Sequence, residues 1–211
     1  PSGRHHLGFN AKTGDWERGV NWFVEKCRQL NSESLLPQYN QDRRLLDWLG
    51  QNYENILAEM AKMDTLLQEA PLPRLVIHGD YGLHNLVFPK DGLITMLDFE
   101  TARLEWRLSD LVSACSRLRF RNGNYDLETI RSFISAYQSE FPIEFDEWRW
   151  LPEVWRFYKL RSALIYWNSY LDTGGPSRKL ISAQDAVRQA DWAIQNREIL
   201  LNLIPGIKEA S

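Results

Sequence analysis

The sequence predicts an α+β domain that is mainly helical, with a few short strands gathered into one stretch of the chain. Three observations lead there. Apolar residues recur at helical spacing from about residue 16 to residue 67, and again from Ser109 onward. Between residues 74 and 98 that spacing gives way to short apolar runs separated by polar turns. Prolines and glycines, among them Pro37, Pro71, Pro73 and Gly92, mark the borders between these regimes. With 211 residues, 44% of them hydrophobic, the chain is long enough to bury one good core, and it reads as a single domain over residues 1–211.

Asp15 can cap a helix in which Trp16, Val20, Phe23, Val24, Cys27 and Leu30 share a face, predicting helix over about 16–30. After the break at Pro37, Leu45, Leu46, Leu49, Tyr53, Ile56, Leu57, Met60 and Leu67 mark a longer helix. It ends before Pro71 and Pro73, because proline lacks the N–H a helix needs and its ring clashes with the preceding turn. Leu75-Val76-Ile77, Leu86-Val87-Phe88 and Leu93-Ile94-Thr95-Met96-Leu97 read as three short strands. Pro89-Lys90-Asp91-Gly92 has the composition of a tight turn, so the second and third strands should pair as a hairpin.

Helical stripes return with Leu111, Val112, Cys115 and Leu118, then with Ile130, Phe133, Ile134 and Tyr137. The segment from Asp146 to Leu171 is rich in Trp and Tyr and carries an early Pro152, which a first helical turn accepts. Ser182 with Asp185 resembles a capping box for the last helix. Aromatic residues at helical spacing are usually core, which is the expectation for Trp148, Trp150, Trp155, Tyr158 and Tyr166. Trp167 and Tyr170 are open between core and the wall of a substrate pocket.

Lys+Arg 25 against Asp+Glu 28 leaves a formal charge of -3, so there is no general cationic surface for a phosphate backbone and nucleic acid is not expected as a partner. Cys27 and Cys115 each lie in an apolar helical pattern and read as reduced core residues. No apolar run is long enough to cross a bilayer, and Pro1-Ser2-Gly3-Arg4-His5-His6 lacks the apolar stretch of a secretory signal. A cytoplasmic location with no membrane partner is the expectation; oligomeric state is not legible, and His5 and His6 need no function.

The chemistry-bearing residues are His78-Gly79-Asp80-Tyr81-Gly82-Leu83-His84-Asn85 and, beyond the hairpin, Asp98-Phe99-Glu100. Because a hairpin returns the chain to near its starting point, Asp80, Asn85 and Asp98 can converge on one small volume. Phosphoryl transfer needs such a set: a carboxylate to orient a hydroxyl and take its proton, and hard oxygen ligands to hold Mg²⁺ against phosphates. Asp80 or Asn85 taken alone reads as a turn residue; the joint pattern, completed by Asp110 in Ser109-Asp110-Leu111, is what carries the reading.

Over residues 76 to 114 the chain resembles the aminoglycoside phosphotransferase and choline kinase-like branch of the kinase-like fold; elsewhere it agrees only in being helical. That branch shows His-Gly-Asp where protein kinases show His-Arg-Asp, and it accepts a residue other than Gly after the Asp-Phe of the metal turn, as at Gly79 and Glu100 here. The resemblance implies the C-terminal lobe of a protein-kinase-like fold and ATP-dependent transfer to a hydroxyl of a small-molecule substrate. It implies Asp80 as catalytic base, Asn85 and Asp98 as magnesium ligands, and ATP and Mg as cofactors. His78 would be a structural support behind the loop, and Asp110 would buttress the catalytic loop through its backbone. Residues binding the nucleotide are not assigned.

A kinase-like enzyme also needs a smaller lobe with a Gly-rich loop and a strand Lys over the ATP phosphates. No Gly-x-Gly-x-x-Gly occurs in the 211 residues, so the chain reads as the C-terminal lobe without the N-terminal ATP-lid lobe, expected to bind ATP poorly and turn over little alone. The family's acceptors include aminoglycosides, choline, homoserine and sugars, and residues 120–211 do not choose among them. Two other readings stand beside this one. A metal-dependent phosphoesterase would use His78, Asp80, His84, Asn85 and Asp98 as ligands, yet only four histidines are present and two lie at the extreme start. A non-catalytic kinase-like binding module would have no physical need for all three oxygen donors. His84 is expected at the surface or supporting the site, Glu100 on the metal or in solvent, and Arg103 and Arg107 in ion pairs.

Overall fold

The computed structural model describes residues 37–90, 92–118, 120–173 and 175–204. The predicted helix over 16–30, with Cys27, lies outside them. Helix α1, Pro37–Glu69, leads to strand β1, Arg74–Ile77, and a 3₁₀ turn at Leu83–Asn85. Strands β2, Leu86–Val87, and β3, Thr95–Met96, form the predicted hairpin, followed by a second 3₁₀ turn at Phe99–Thr101. Strand β4, Arg103–Trp106, runs into helix α2, Arg107–Cys115. A small hairpin, β5 Phe120–Arg121 and β6 Asn124–Tyr125, precedes α3, Leu127–Glu140. Four helices follow among the described residues: α4 Phe145–Trp148, α5 Leu151–Thr173, α6 Arg178–Gln195 and α7 Arg197–Leu201. The result is mostly helical, with three two-stranded antiparallel sheets among the described residues.

The stripe that predicted α1 is the stripe that is buried: Leu49, Tyr53, Ile56, Met60 and Leu67 are all at most 4% exposed, spaced by three, four or seven. They pack on α5, where the ring of Trp167 meets that of Tyr53 edge-on at 4.9 Å. Helix α5 is buried on nearly every side, so it is the central post of the domain and α1, α2 and α6 surround it. Trp148, Trp155 and Trp167 are fully buried and Tyr170 sits in the core with its hydroxyl donating to Asp42 at 2.8 Å, which settles both open aromatics as core. Removing one such ring costs about 3–5 kcal/mol. Tyr166 departs from the expectation and stands 42% exposed.

Several boundaries differ from those the sequence predicts. The third strand is only Thr95–Met96, and Leu93 and Ile94 lie exposed before it. Strand β1 pairs with β4, not with the hairpin, in a register running from Arg74↔Trp106 to Ile77↔Arg103. The capping box fails: Ser182 lies inside α6, which starts after Ser177, and Asp185 pairs instead with Arg188 at 3.1 Å. Ser177 turns its hydroxyl to Asp42, 2.9 Å away, and so ties the start of α6 to α1.

Around the polar loop, Val76, Leu83, Phe88, Leu93, Phe99 and Leu104 are each more than half exposed, and Val76 and Leu104 face each other across β1 and β4.

Candidate active site

Strand β1 delivers the chain to His78, which is buried and bonded on every polar atom. Its N–H donates to Asp110 Oδ2 at 2.6 Å and its carbonyl accepts from Thr101 Oγ1 at 2.9 Å. Nδ1 accepts the Asp80 N–H at 3.3 Å, which fixes the proton on Nε2, and Nε2 lies 2.8 Å from the Leu97 carbonyl. The ring therefore ties the residue before Asp98 to the N–H of Asp80. With both nitrogens engaged, His78 has no lone pair for a metal, which weighs against the phosphoesterase ligand set.

Gly79 follows at φ +83, a region costly for residues with a Cβ. A Cβ there would sit 2.0 Å from Arg103 Nη1 and 2.4 Å from the Thr101 carbonyl, so backbone and guanidinium occupy the space. The Gly79 N–H donates to Asp110 Oδ1 at 2.8 Å. Asp110, in the first turn of α2, thus accepts two successive loop N–H groups, and burial pushes its carboxyl up against the opposing pull of those bonds.

Asp80 and Asn85 are in contact. The Asn85 amide nitrogen donates to the Asp80 carbonyl at 2.9 Å and to its Oδ2 at 3.1 Å, leaving the amide oxygen as Asn85's acceptor end. Asp98 arrives by the hairpin: Leu86 pairs with Met96, and the Leu97 N–H donates to the Asn85 carbonyl at 2.9 Å. Asp98 then turns in the left-handed region at φ 63, exposed, with its carboxylate bonded to no described residue. The hairpin therefore brings Asp98 beside Asn85 through the backbone, whereas direct side-chain contact is confined to Asp80 and Asn85. Glu100 is exposed in the following turn.

Sequence reading missed Arg117. It lies beyond α2 and its Nη2 donates to Asp80 Oδ1; the same nitrogen reaches the Tyr158 hydroxyl at 3.3 Å, and Nη1 lies 2.8 Å from His84 Nε2. His84 Nε2 is also 3.1 Å from Asp80 Oδ2, so His84 touches Asp80 directly. Burial alone would raise the Asp80 carboxyl; bonds from Arg117, His84 and Asn85, with the Arg117 charge, outweigh it and hold it at about 2. No local pattern marks Arg117, because its partner is 37 residues away in the chain.

Arg103 and Arg107 are paired, as expected: Arg103 donates to Glu105 at 2.6 Å and Arg107 to Glu147 at 3.0 Å. Glu105 also accepts from Arg161 at 3.3 Å. On the far side of the His78 loop lies a cavity of about 510 Å³ that reaches His78, Tyr81 and Asp110 but none of Asp80, Asn85 and Asp98. Among the described residues no group of three or more His, Cys, Asp or Glu side chains is arranged to hold a metal, and no helix is long and apolar enough to cross a membrane. Hard oxygens remain for Mg²⁺ in the amide oxygen of Asn85 and the exposed Asp98 carboxylate, a donor set that suits that ion.

The chain belongs to the phosphotransferase enzyme family (APH), whose model matches residues 14–157. Among proteins of known function it is similar to homoserine kinases of Pseudomonas aeruginosa. Those of strains LESB58, PAO1 and UCBPP-PA14 are each 27% identical over 139 residues, covering 63% of this chain and 39% of theirs. The chain thus spans well under half the length of the curated relatives it matches.

Proposed function

We propose that the chain is the C-terminal, acceptor- and metal-binding lobe of a cytoplasmic small-molecule kinase that transfers a phosphoryl group from ATP to a hydroxyl. The observation that carries this is the contact of Asp80 with Asn85 on a loop held by Asp110, with Asp98 brought alongside by the hairpin. Family membership supports the phosphotransferase class, and the homoserine kinase relatives support a small hydroxylated acceptor.

In this reading Asp80 orients the acceptor hydroxyl and takes its proton as the new O–P bond forms. A carboxylate held at about 2 is a weak base, so its main work is orientation, with proton uptake late, once the hydroxyl has become acidic. Asn85 steers the Asp80 carboxylate through its amide nitrogen and turns its amide oxygen to the metal. Mg²⁺, held by Asn85 and Asp98, would neutralise charge on the transferred phosphoryl group. His78 keeps the two loops in register and Asp110 fixes the backbone of the first.

The test is Asp80→Asn in the full-length protein. Phosphoryl transfer should fall by about 10²–10⁴-fold while nucleotide binding is largely spared, and Asp98→Ala should remove the magnesium-dependent part of that binding. Transfer by Asp80→Asn within about threefold of wild type would be incompatible with a base at this position.

A further inference from the structure

The geometry points to Arg117 as a specificity residue: the acceptor carries a carboxylate or similar anion a few bonds from its reactive hydroxyl, and Arg117 binds that anion. The assignment rests on the kinase reading above and narrows its acceptor class.

Charge is the first argument. Side chains gathered behind Asp80 are cationic in excess. The Tyr158 hydroxyl contacts Arg117 at 3.3 Å and Ser113 at 2.8 Å, while the guanidinium of Arg161 and the ammonium of Lys159 lie 5.4 and 5.8 Å from its ring. Glu105 is shared between Arg103 and Arg161. Lys159 is buried with its Nζ on the Ser116 carbonyl at 3.3 Å, and burial, followed by the Arg117 charge, depresses it to about 7. Among the described residues the carboxylate that answers Arg117 is Asp80, which the reaction also needs.

Donor capacity is the second. A guanidinium has five N–H groups in a fixed fork suited to carboxylate and phosphate. Here they meet Asp80, His84 and Tyr158, and the side chain is 32% exposed beside Asp80. Arg117 Nη1 lies 3.2 Å from His84 Nδ1 and 2.8 Å from Nε2, so His84 can accept from Arg117 on Nδ1 while Nε2–H donates to Asp80 Oδ2 at 3.1 Å.

Reach is the third. Arg117 and Asp80 are in direct contact, so an acceptor whose hydroxyl meets Asp80 presents its anion only a short chain away. That geometry suits a small hydroxy acid. It repels an acceptor that places an ammonium at the same point, as choline or an aminoglycoside would.

The experiment titrates the full-length protein with 4-hydroxybutanoate, with 1,4-butanediol, which keeps the hydroxyl and lacks the carboxylate, and with choline. It follows the His84 ring and Arg117 side-chain NMR signals. The hydroxy acid should bind about tenfold to a hundredfold more tightly than the diol and shift both sets of signals; choline should shift neither. Arg117→Gln should erase the preference. Arg117→Lys, which keeps the charge but not the fork, should lie between, and it decides the matter if Arg117→Gln is unfolded by circular dichroism. Equal binding of acid and diol, a preference surviving Arg117→Gln, wild-type affinity in Arg117→Lys, or no shift with any probe overturns the assignment. Phosphoryl transfer is measured separately in Asp80→Asn: anion binding without Asp80-dependent transfer leaves the anion site standing and removes the kinase reading.

Discussion

Asp110→Ala should be among the most destabilising single changes outside the aromatic core. Its carboxylate is the acceptor for the N–H groups of His78 and Gly79, at 2.6 and 2.8 Å. Truncation strips both donors of their partner, and hydrogen bonds to a charged group are worth about 1.5–3 kcal/mol each, giving about 3–6 kcal/mol gross. Against that stands the cost of the buried carboxylate, visible in its raised pKa, which truncation removes. The net expectation is a loss of about 2–4 kcal/mol. Asp110→Asn keeps one acceptor oxygen and turns an NH₂ toward the other N–H, so it should lose about half as much. Urea unfolding followed by tryptophan fluorescence reads both, provided the slope m is unchanged. The linkage sign adds a check. Because the folded carboxyl titrates above its ordinary 3.8, its contribution to stability is complete below that pH and declines as pH rises through the folded value. Asp110→Asn should lack this decline. An Asp110→Ala protein within about 0.5 kcal/mol of wild type would refute the reasoning, since that is the range of an unconnected surface change.

Three further outcomes are expected. In an NMR titration Asp80 should ionise near 2, so the stability it contributes is full above 3.8 and lost as pH falls through about 2; Arg117→Gln should move that midpoint upward. Lys159 ionises at about 7 folded against an ordinary 10.5, so wild-type stability should rise with pH between those values; Lys159→Met should flatten the rise and melt at higher temperature at neutral pH. Gly79→Ala meets both a positive φ and occupied space, and thermal melts should show a loss of more than about 2 kcal/mol, where an ordinary exposed glycine would show about 1 or less.

Much of the fold was legible because its signals are local. The spacing of Leu49, Tyr53, Ile56, Met60 and Leu67 names its own buried face, and Pro89 to Gly92 closes its hairpin with the Gly92 N–H on the Pro89 carbonyl at 3.1 Å. Strand β4 escaped notice because Arg103-Leu104-Glu105-Trp106 is short, half charged, and held by partners 26 or more residues upstream. The β5–β6 hairpin did carry a signal, the Asn122-Gly123 pair, whose φ values of 51 and 79 suit the tight turn that dipeptide favours. Ser182 with Asp185 shows the converse failure: the capping pattern is sound, but the tertiary bond of Ser177 to Asp42 fixes where the helix starts. In the site, Asp80 touches Asn85 and Asp110 holds the loop backbone at His78 and Gly79, while the Asp98 side chain, expected to converge with them, touches neither Asp80 nor Asn85. Arg117 required the fold, because an arginine after a helix says nothing until its distant carboxylate is known.

The exposed apolar residues around the loop have a practical consequence. Val76, at 79% exposure, and Leu93, at 73%, face water at an energetic cost that any greasy surface will relieve. Raising the concentration of the isolated polypeptide brings such residues of different copies together. Turbidity and dye uptake should therefore climb with protein load while the helices remain fully formed, and a mild detergent should reverse both.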